Sequence, residues 1–251
     1  MGTMPTPMPA EAQPQAQISP VGRVFGVLFS PGKTFADIVR KPNWLLPSLV
    51  LVIASVVASV CLVQRVDWSD VVRSQIEKSS QASQLSAEQK DQRVAMGAKI
   101  APIIGYVGGL IGPIVLLLLV GVVMWGAYAL LAGVNPGFPT AYSITAHSFM
   151  TTIIGTPIFL LILFLKPKGT IDIENPMATN LAAFLPGDAA KWLFTLCKSI
   201  DIFTIWGLIL IAIGFAAVNP KKMKTGKAMG IAFAVWIAFV IIRTGFAWIF
   251  S

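Results

Sequence analysis

The sequence predicts an all-α polytopic membrane protein, with five transmembrane helices behind an N-terminal interfacial amphipathic helix. Three observations predict it. Of 251 residues, 55% are hydrophobic and only 12% charged, with a mean hydropathy of +0.76; an ordinary globular chain carries roughly 25% charge. Five long segments are almost free of charge, four of them near the ~20 residues that cross the hydrocarbon of a bilayer and the second longer than a bilayer needs. None of them alternates polar and apolar residues at period two, which removes an outer-membrane barrel. In lipid a backbone must satisfy its own polar groups, so such segments are helical.

Residues 1–20 hold five prolines, no Lys or Arg and only scattered apolar side chains. They cannot bury a core and are expected to form a disordered tail. They also lack the basic start and continuous apolar stretch of a signal peptide. Residues 21–44 differ. Ser30 precedes Pro31, a pairing suited to a helix start. Phe35, Ile38 and Val39 then fall on one stripe, with Arg40 and Lys41 off it and Trp44 following at headgroup level. Val24, Phe25 and Leu28 repeat the spacing upstream. The expectation is one short helix, or a broken pair, lying in the membrane interface.

The five spans are about 45–63, 102–132, 141–165, 200–218 and 228–250, together forming the membrane domain 45–250. The link between the last two is short and holds Lys221, Lys222, Lys224 and Lys227 with no acid. Short Lys-rich loops stay cytoplasmic. Counting back through five spans places the N-terminus in the cytoplasm and the C-terminus outside, and Arg40 and Lys41 before span one agree. Two longer segments then lie outside. In residues 66–100, Ser86 and Gln89 form a capping box, and helical extensions of spans one and two are expected. Residues 166–199 read as a structured loop with a short helix from about Asp188.

Few polar groups enter the spans. Asp201 lies 19 residues before Pro220, where the lysine turn starts, and Arg243 lies 16 residues beyond Lys227, where it ends. At ~1.5 Å per residue these depths are roughly 28 and 24 Å. Antiparallel neighbours would let the two side chains meet as a structural ion pair near the outer interface; separate snorkelling is the alternative. His147 lies among Ser143, Thr145, Ser148 and Thr151 in span three. It reads as a hydrogen-bonded interior residue or as a polar intramembrane site, although spans one to three supply no acid for a proton relay. Gly105/Gly109, Gly108/Gly112 and Gly226/Gly230/Ala234/Ala238 are small-residue stripes for helix packing or self-association. Pro113 and Pro157 can kink their spans. Cys61 and Cys197 fall near the outer face.

The single histidine excludes sites needing two, such as HExxH, and two cysteines exclude a disulfide framework or a Cys-rich metal knuckle. No cofactor, metal or catalytic constellation is expected. Lys and Arg exceed Asp and Glu by 19 to 11, but the cations sit between apolar runs, so the expected partners are the bilayer and its anionic headgroups rather than nucleic acid.

Three stretches carry a family resemblance: FSPGKTFADIVRKPNWLLPSLV, IGYVGGLIGPI, and KSIDIFTIWGLILIAIGFAAV with its Lys-rich turn and small-residue helix. In these the chain resembles the bacterial type of the Yip family, the Ypt/Rab-interacting integral membrane proteins, over about residues 22–250. The resemblance implies a five-span bundle with a cytoplasmic N-terminus in a bacterial inner membrane. It also implies a non-enzymatic scaffold or adaptor that organises or shapes membrane through its interfacial helix and a protein partner. The alternative is a small solute, ion or lipid transporter or channel using Pro113, Pro157, His147 and the Asp201/Arg243 pair.

Overall fold

The computed structural model describes residues 18–79 and 82–249. The expected tail therefore lies, for residues 1–17, outside the described residues. Among these residues ten α-helices follow in order: α1 Pro20–Phe29, α2 Pro31–Arg40, α3 Leu45–Arg65, α4 Trp68–Glu77, α5 Ala87–Ala132, α6 Phe138–Ser148, α7 Thr152–Leu165, α8 Lys191–Ser199, α9 Ile202–Val218 and α10 Thr225–Ile249. The fold is all-α and polytopic.

Four stretches are long and apolar enough to cross a membrane: α3, α5, α6 with α7 (Phe138–Leu165), and α10. The fourth predicted span, α9, is shorter at 17 residues, the lower end of what a bilayer needs. Its apolar character is nevertheless high, and Leu208, Leu210, Ile211, Ala212 and Phe215 are buried in the main core. Tyr128 of α5 stacks on Phe215 with ring centroids 4.0 Å apart and donates its hydroxyl to the Ala228 carbonyl of α10 at 2.7 Å. One side chain thus ties three helices. Outward faces of α3, α5 and α10 remain apolar and exposed, through residues such as Ile53, Leu119 and Ile241.

The expected interfacial helix is a broken pair. Pro31 brings no N–H and disfavours helical geometry in the residue before it; Ser30 accordingly sits at φ −144°, ψ 57° and makes no side-chain cap. The chain reverses there into a helical hairpin. Gly26 permits the close approach: a Cβ at that position would lie 2.7 Å from Thr34 Oγ1. The stripe on α2 corrects the expectation that it faces the membrane. Phe35 and Ile38 are fully buried, packed with α9 and α6 inside the main core, and Val39 packs against it.

Two further differences concern the segments expected outside. Span one does not continue as one rod. The helix stops at Arg65, Asp67 caps a new helix by accepting from the Ser69 and Asp70 amides, and Trp68 Nε1 donates to the Val63 carbonyl across the corner. Span two does extend: the Ser86–Gln89 capping box starts α5, which runs 46 residues through Pro102 and Pro113 to Gly133, whose φ of +60° ends it. Arg73 and Asp91 link α4 to α5 at 3.2 Å.

Span three is interrupted. A 3-10 turn at Phe149–Thr151 separates α6 from α7. The cause is local chemistry. Ser143, Thr145 and Ser148 each donate to the carbonyl four residues earlier, and Thr152 to Phe149; such back-bonding bends helices.

Candidate functional site

The most polar buried region lies where the N-terminal hairpin covers α6. Its residues come from several elements. α1 contacts α2, α3, α6 and the Phe149–Thr151 turn, while α2 lies on α9 and α6. All of Ala141–Ser148 is buried.

Arg23 on α1 is 3% exposed. Its Nε donates to Asp37 Oδ2 on α2 at 2.9 Å, and its two terminal nitrogens reach the Lys41 carbonyl at 2.8 Å and the Asp37 carbonyl at 3.4 Å. One guanidinium therefore pins α1 to the C-terminal end of α2, where unpaired helix carbonyls favour a cation. Sequence reasoning misses this pairing. A signal is present in the chain: Arg23 shares its helix face with Val24 and Val27, and Asp37 precedes Ile38.

His147 is fully buried. Its Nδ1 lies 2.8 Å from the Ser143 carbonyl. A carbonyl oxygen only accepts, so Nδ1 carries the proton and neutral Nε2 presents a lone pair. Among the described residues Nε2 has no hydrogen-bond partner.

The remaining candidate residues divide by side. Arg40, Lys41, Lys221, Lys222, Lys224 and Lys227 are exposed. Met223, between the lysines, is buried in the main core, and the Lys222 amide donates to Asn219 Oδ1, so the turn is anchored while its lysines project. Trp44 is exposed and meets Tyr142 edge-on at 5.6 Å.

Asp201 and Arg243 do not form the expected ion pair. Asp201 is instead the N-cap of α9: it accepts from the Phe203 and Thr204 amides at 2.9 and 3.0 Å and from Thr179 Oγ1. The unpaired amides at a helix start satisfy a carboxylate as well as a guanidinium would. Arg243 is exposed on α10. Burial, and then the field of Arg243, lower the Lys198 ammonium from the ordinary lysine value, while Glu174 and Asp172 act the other way. Lys198 donates to the Glu174 carbonyl.

The small-residue stripes also divide. Cβ atoms at Gly105 and Gly109 would meet Val63 and Ser59 of α3, so that stripe packs inside the chain. Gly108, Gly112, Gly226 and Gly230 face open space. Cys61 and Cys197 are free thiols. Among the described residues no group of three His, Cys, Asp or Glu is arranged to hold a metal ion. A cleft of about 220 Å³ lies between α4 and the 171–174 segment, lined by Asp70, Lys78, Asp172 and Glu174 among others.

Residues 25–248 match the family model of the Yip1 domain, from within α1 almost to the end of α10. The membrane protein YknW of Bacillus subtilis (strain 168) is 27% identical over 221 residues, covering 87% of this chain and 84% of its own length. No solved structure matches.

Proposed function

The chain belongs to the Yip1 domain family of membrane proteins, and from that premise we propose that it is a non-enzymatic scaffold whose N-terminal hairpin acts as a wedge in one leaflet. The observation that carries this reading is the outward face of α1. Val21, Phe25 and Phe29 recur at spacing four and are 59%, 51% and 79% exposed, while Arg23, Val24 and Val27 on the opposite face are buried. α1 is thus fixed to the bundle on one side and apolar on the other.

Its depth supports the same reading. The Phe149–Thr151 turn that α1 touches starts 11 residues beyond Phe138, roughly 17 Å along the helix. The hydrocarbon is ~30 Å thick. With Phe138 at the cytoplasmic boundary, α1 reaches about as far as the bilayer midplane and does not span the bilayer. A volume added to one leaflet alone biases local curvature. The exposed lysines of the 219–227 turn, with Lys41, sit at the same boundary and suit anionic headgroups. On this topology α9 completes five spans, both the hairpin and the lysine turn are cytoplasmic, and the C-terminal end of α10 is outside, in a bacterial inner membrane.

Reconstitution into large liposomes tests the wedge. Wild type is expected to tubulate or fragment vesicles in proportion to protein density; a V21S/F25S/F29S variant, with the docked face intact, is expected to lose most of that effect. Equal remodelling by both proteins, or none by wild type, rejects the reading. A second reading, transport, is favoured by one observation: span three breaks beside a buried imidazole with an unfilled lone pair, and discontinuous helices form solute sites in transporters. Solute or lipid flux in the same vesicles, abolished by H147F, would select it.

A further inference from the structure

The α1–α2 hairpin rests on a histidine that the docked state accepts only when neutral. Nδ1–H is committed to the Ser143 carbonyl at 2.8 Å, and Nε2 faces no partner. An unfilled acceptor is a moderate cost. A proton on Nε2 would turn that atom into a donor with nothing to receive it. It would also place a second positive charge in a buried region that already holds Arg23. Buried like charges of this kind are far costlier than an unfilled lone pair.

Among the described residues the stretches packed on α6 bring no unpaired carboxylate; the Ser48 hydroxyl of α3 is buried and also lacks a partner. α6 is packed by α1, α2, α3, α5, α9 and the Phe149–Thr151 turn. α1 brings Arg23. α2 brings Asp37, whose carboxylate is taken by Arg23 Nε at 2.9 Å. α3 and α9 have no charged residue inside their apolar stretches, and α5 has none after Lys99. Of the phenols, Tyr128 is committed to the Ala228 carbonyl, and Tyr142 is on α6 itself, against Trp44.

We propose that the hairpin is a proton-released latch: it docks over neutral His147 and swings away from α6 when that imidazole takes a proton. This rests on the wedge reading of the hairpin and names the regulation of that element. Release admits water to Nε2, separates the ring from Arg23, and changes how much of α1 the inner leaflet holds. The docked form then dominates at neutral and higher pH. The docked-to-released ratio falls by up to about tenfold per pH unit below about 6.5, the ordinary imidazole value.

The test uses the full chain in liposomes with C61A and C197A, carrying spin labels at F29C and K221C. Both positions are exposed. Pulsed electron–electron distances at pH 7.5 and pH 5.0 are expected to change from one narrow population to a longer, broader one, and to return on neutralisation. The same pair in H147Q, which takes no proton, is expected to stay narrow at both pH values. D37N, which breaks the Arg23 pin, is expected to be broad at both, proving that the labels detect release. A wild-type distance that ignores pH overturns the latch, and so does an H147Q distance that follows pH as wild type does. Remodelling by the unlabelled wild-type chain in vesicles of the same composition at pH 7.5 separates the two ideas. Its absence beside a pH-dependent distance rejects the wedge and keeps the latch; its presence beside a fixed distance does the reverse.

Discussion

Gly214 and Asp201 show how single positions set the packing. A Cβ on Gly214 would collide with Ile144 Cγ2 and lie 3.0 Å from Phe35 Cδ1. Gly214 is therefore where α9, α6 and α2 come together, and G214A is expected to lose about 1–3 kcal/mol through overpacking. G230A, at a position with nothing within 4 Å, is expected to be neutral. Thermal unfolding in detergent compares the two, and equal loss would show that the hairpin is not seated as described. Asp201 offers a second contrast. As a cap, D201A costs about 1 kcal/mol, while R243A changes stability little. Equal losses that fail to add in the double variant would restore the ion pair. The sequence holds the evidence for a cap, because an acid directly before an apolar run marks a helix start. Depth arithmetic favours the partner across the bundle instead, since both arrangements satisfy one carboxylate.

At the scale of elements, the hairpin and the α8–α10 contact behave differently. Breaking a buried pair strands the surviving charge, so D37N is expected to lose about 3–5 kcal/mol of hairpin docking. R23Q/D37N, which strands none, is expected to lose less. Proteolysis near Ser30, faster in the single variant than in the double, is the readout. At the α8–α10 contact, the lowered Lys198 ammonium means that the folded chain holds that proton less tightly than the unfolded chain. The sign follows: the charge is a cost at neutral pH, and it is relieved as pH rises toward the ordinary lysine range. Hydrogen exchange of α8, corrected for the intrinsic rate, is expected to slow relative to K198Q as pH is raised. The element that sequence periodicity cannot resolve is α2. A stripe such as Phe35, Ile38 and Val39 reports a face hidden from water, not what hides it. Lipid and the α9 surface have the same apolar chemistry. The break at Ser30 is legible because proline acts locally; the docking is not, because it depends on α9 and α6, far along the chain.

Across the whole molecule, span existence is the most legible property. Runs such as 102–132 have the length and lack of charge that lipid demands, whatever packs beside them. Where each run starts depends on local chemistry: the capping box continues α5 outward, and the serines, threonines and His147 divide span three. The buried Arg23–Asp37 pair and the unfilled His147 Nε2 arise only when separate segments meet. One topological expectation follows for the assembled protein: cysteines placed at Lys221 and Lys41 react with reagents from the cytoplasmic side, and one beyond Trp248 reacts from outside. The most direct measurement of the central claim is spin-label depth at Val21, Phe25 and Phe29 in liposomes, from collision with oxygen, which partitions into lipid, and with a nickel chelate, which stays in water. A hairpin wedged into the inner leaflet gives high oxygen and low nickel accessibility at all three positions at pH 7.5. Strong nickel collision at Phe25 and Phe29 would place α1 in water and contradict it.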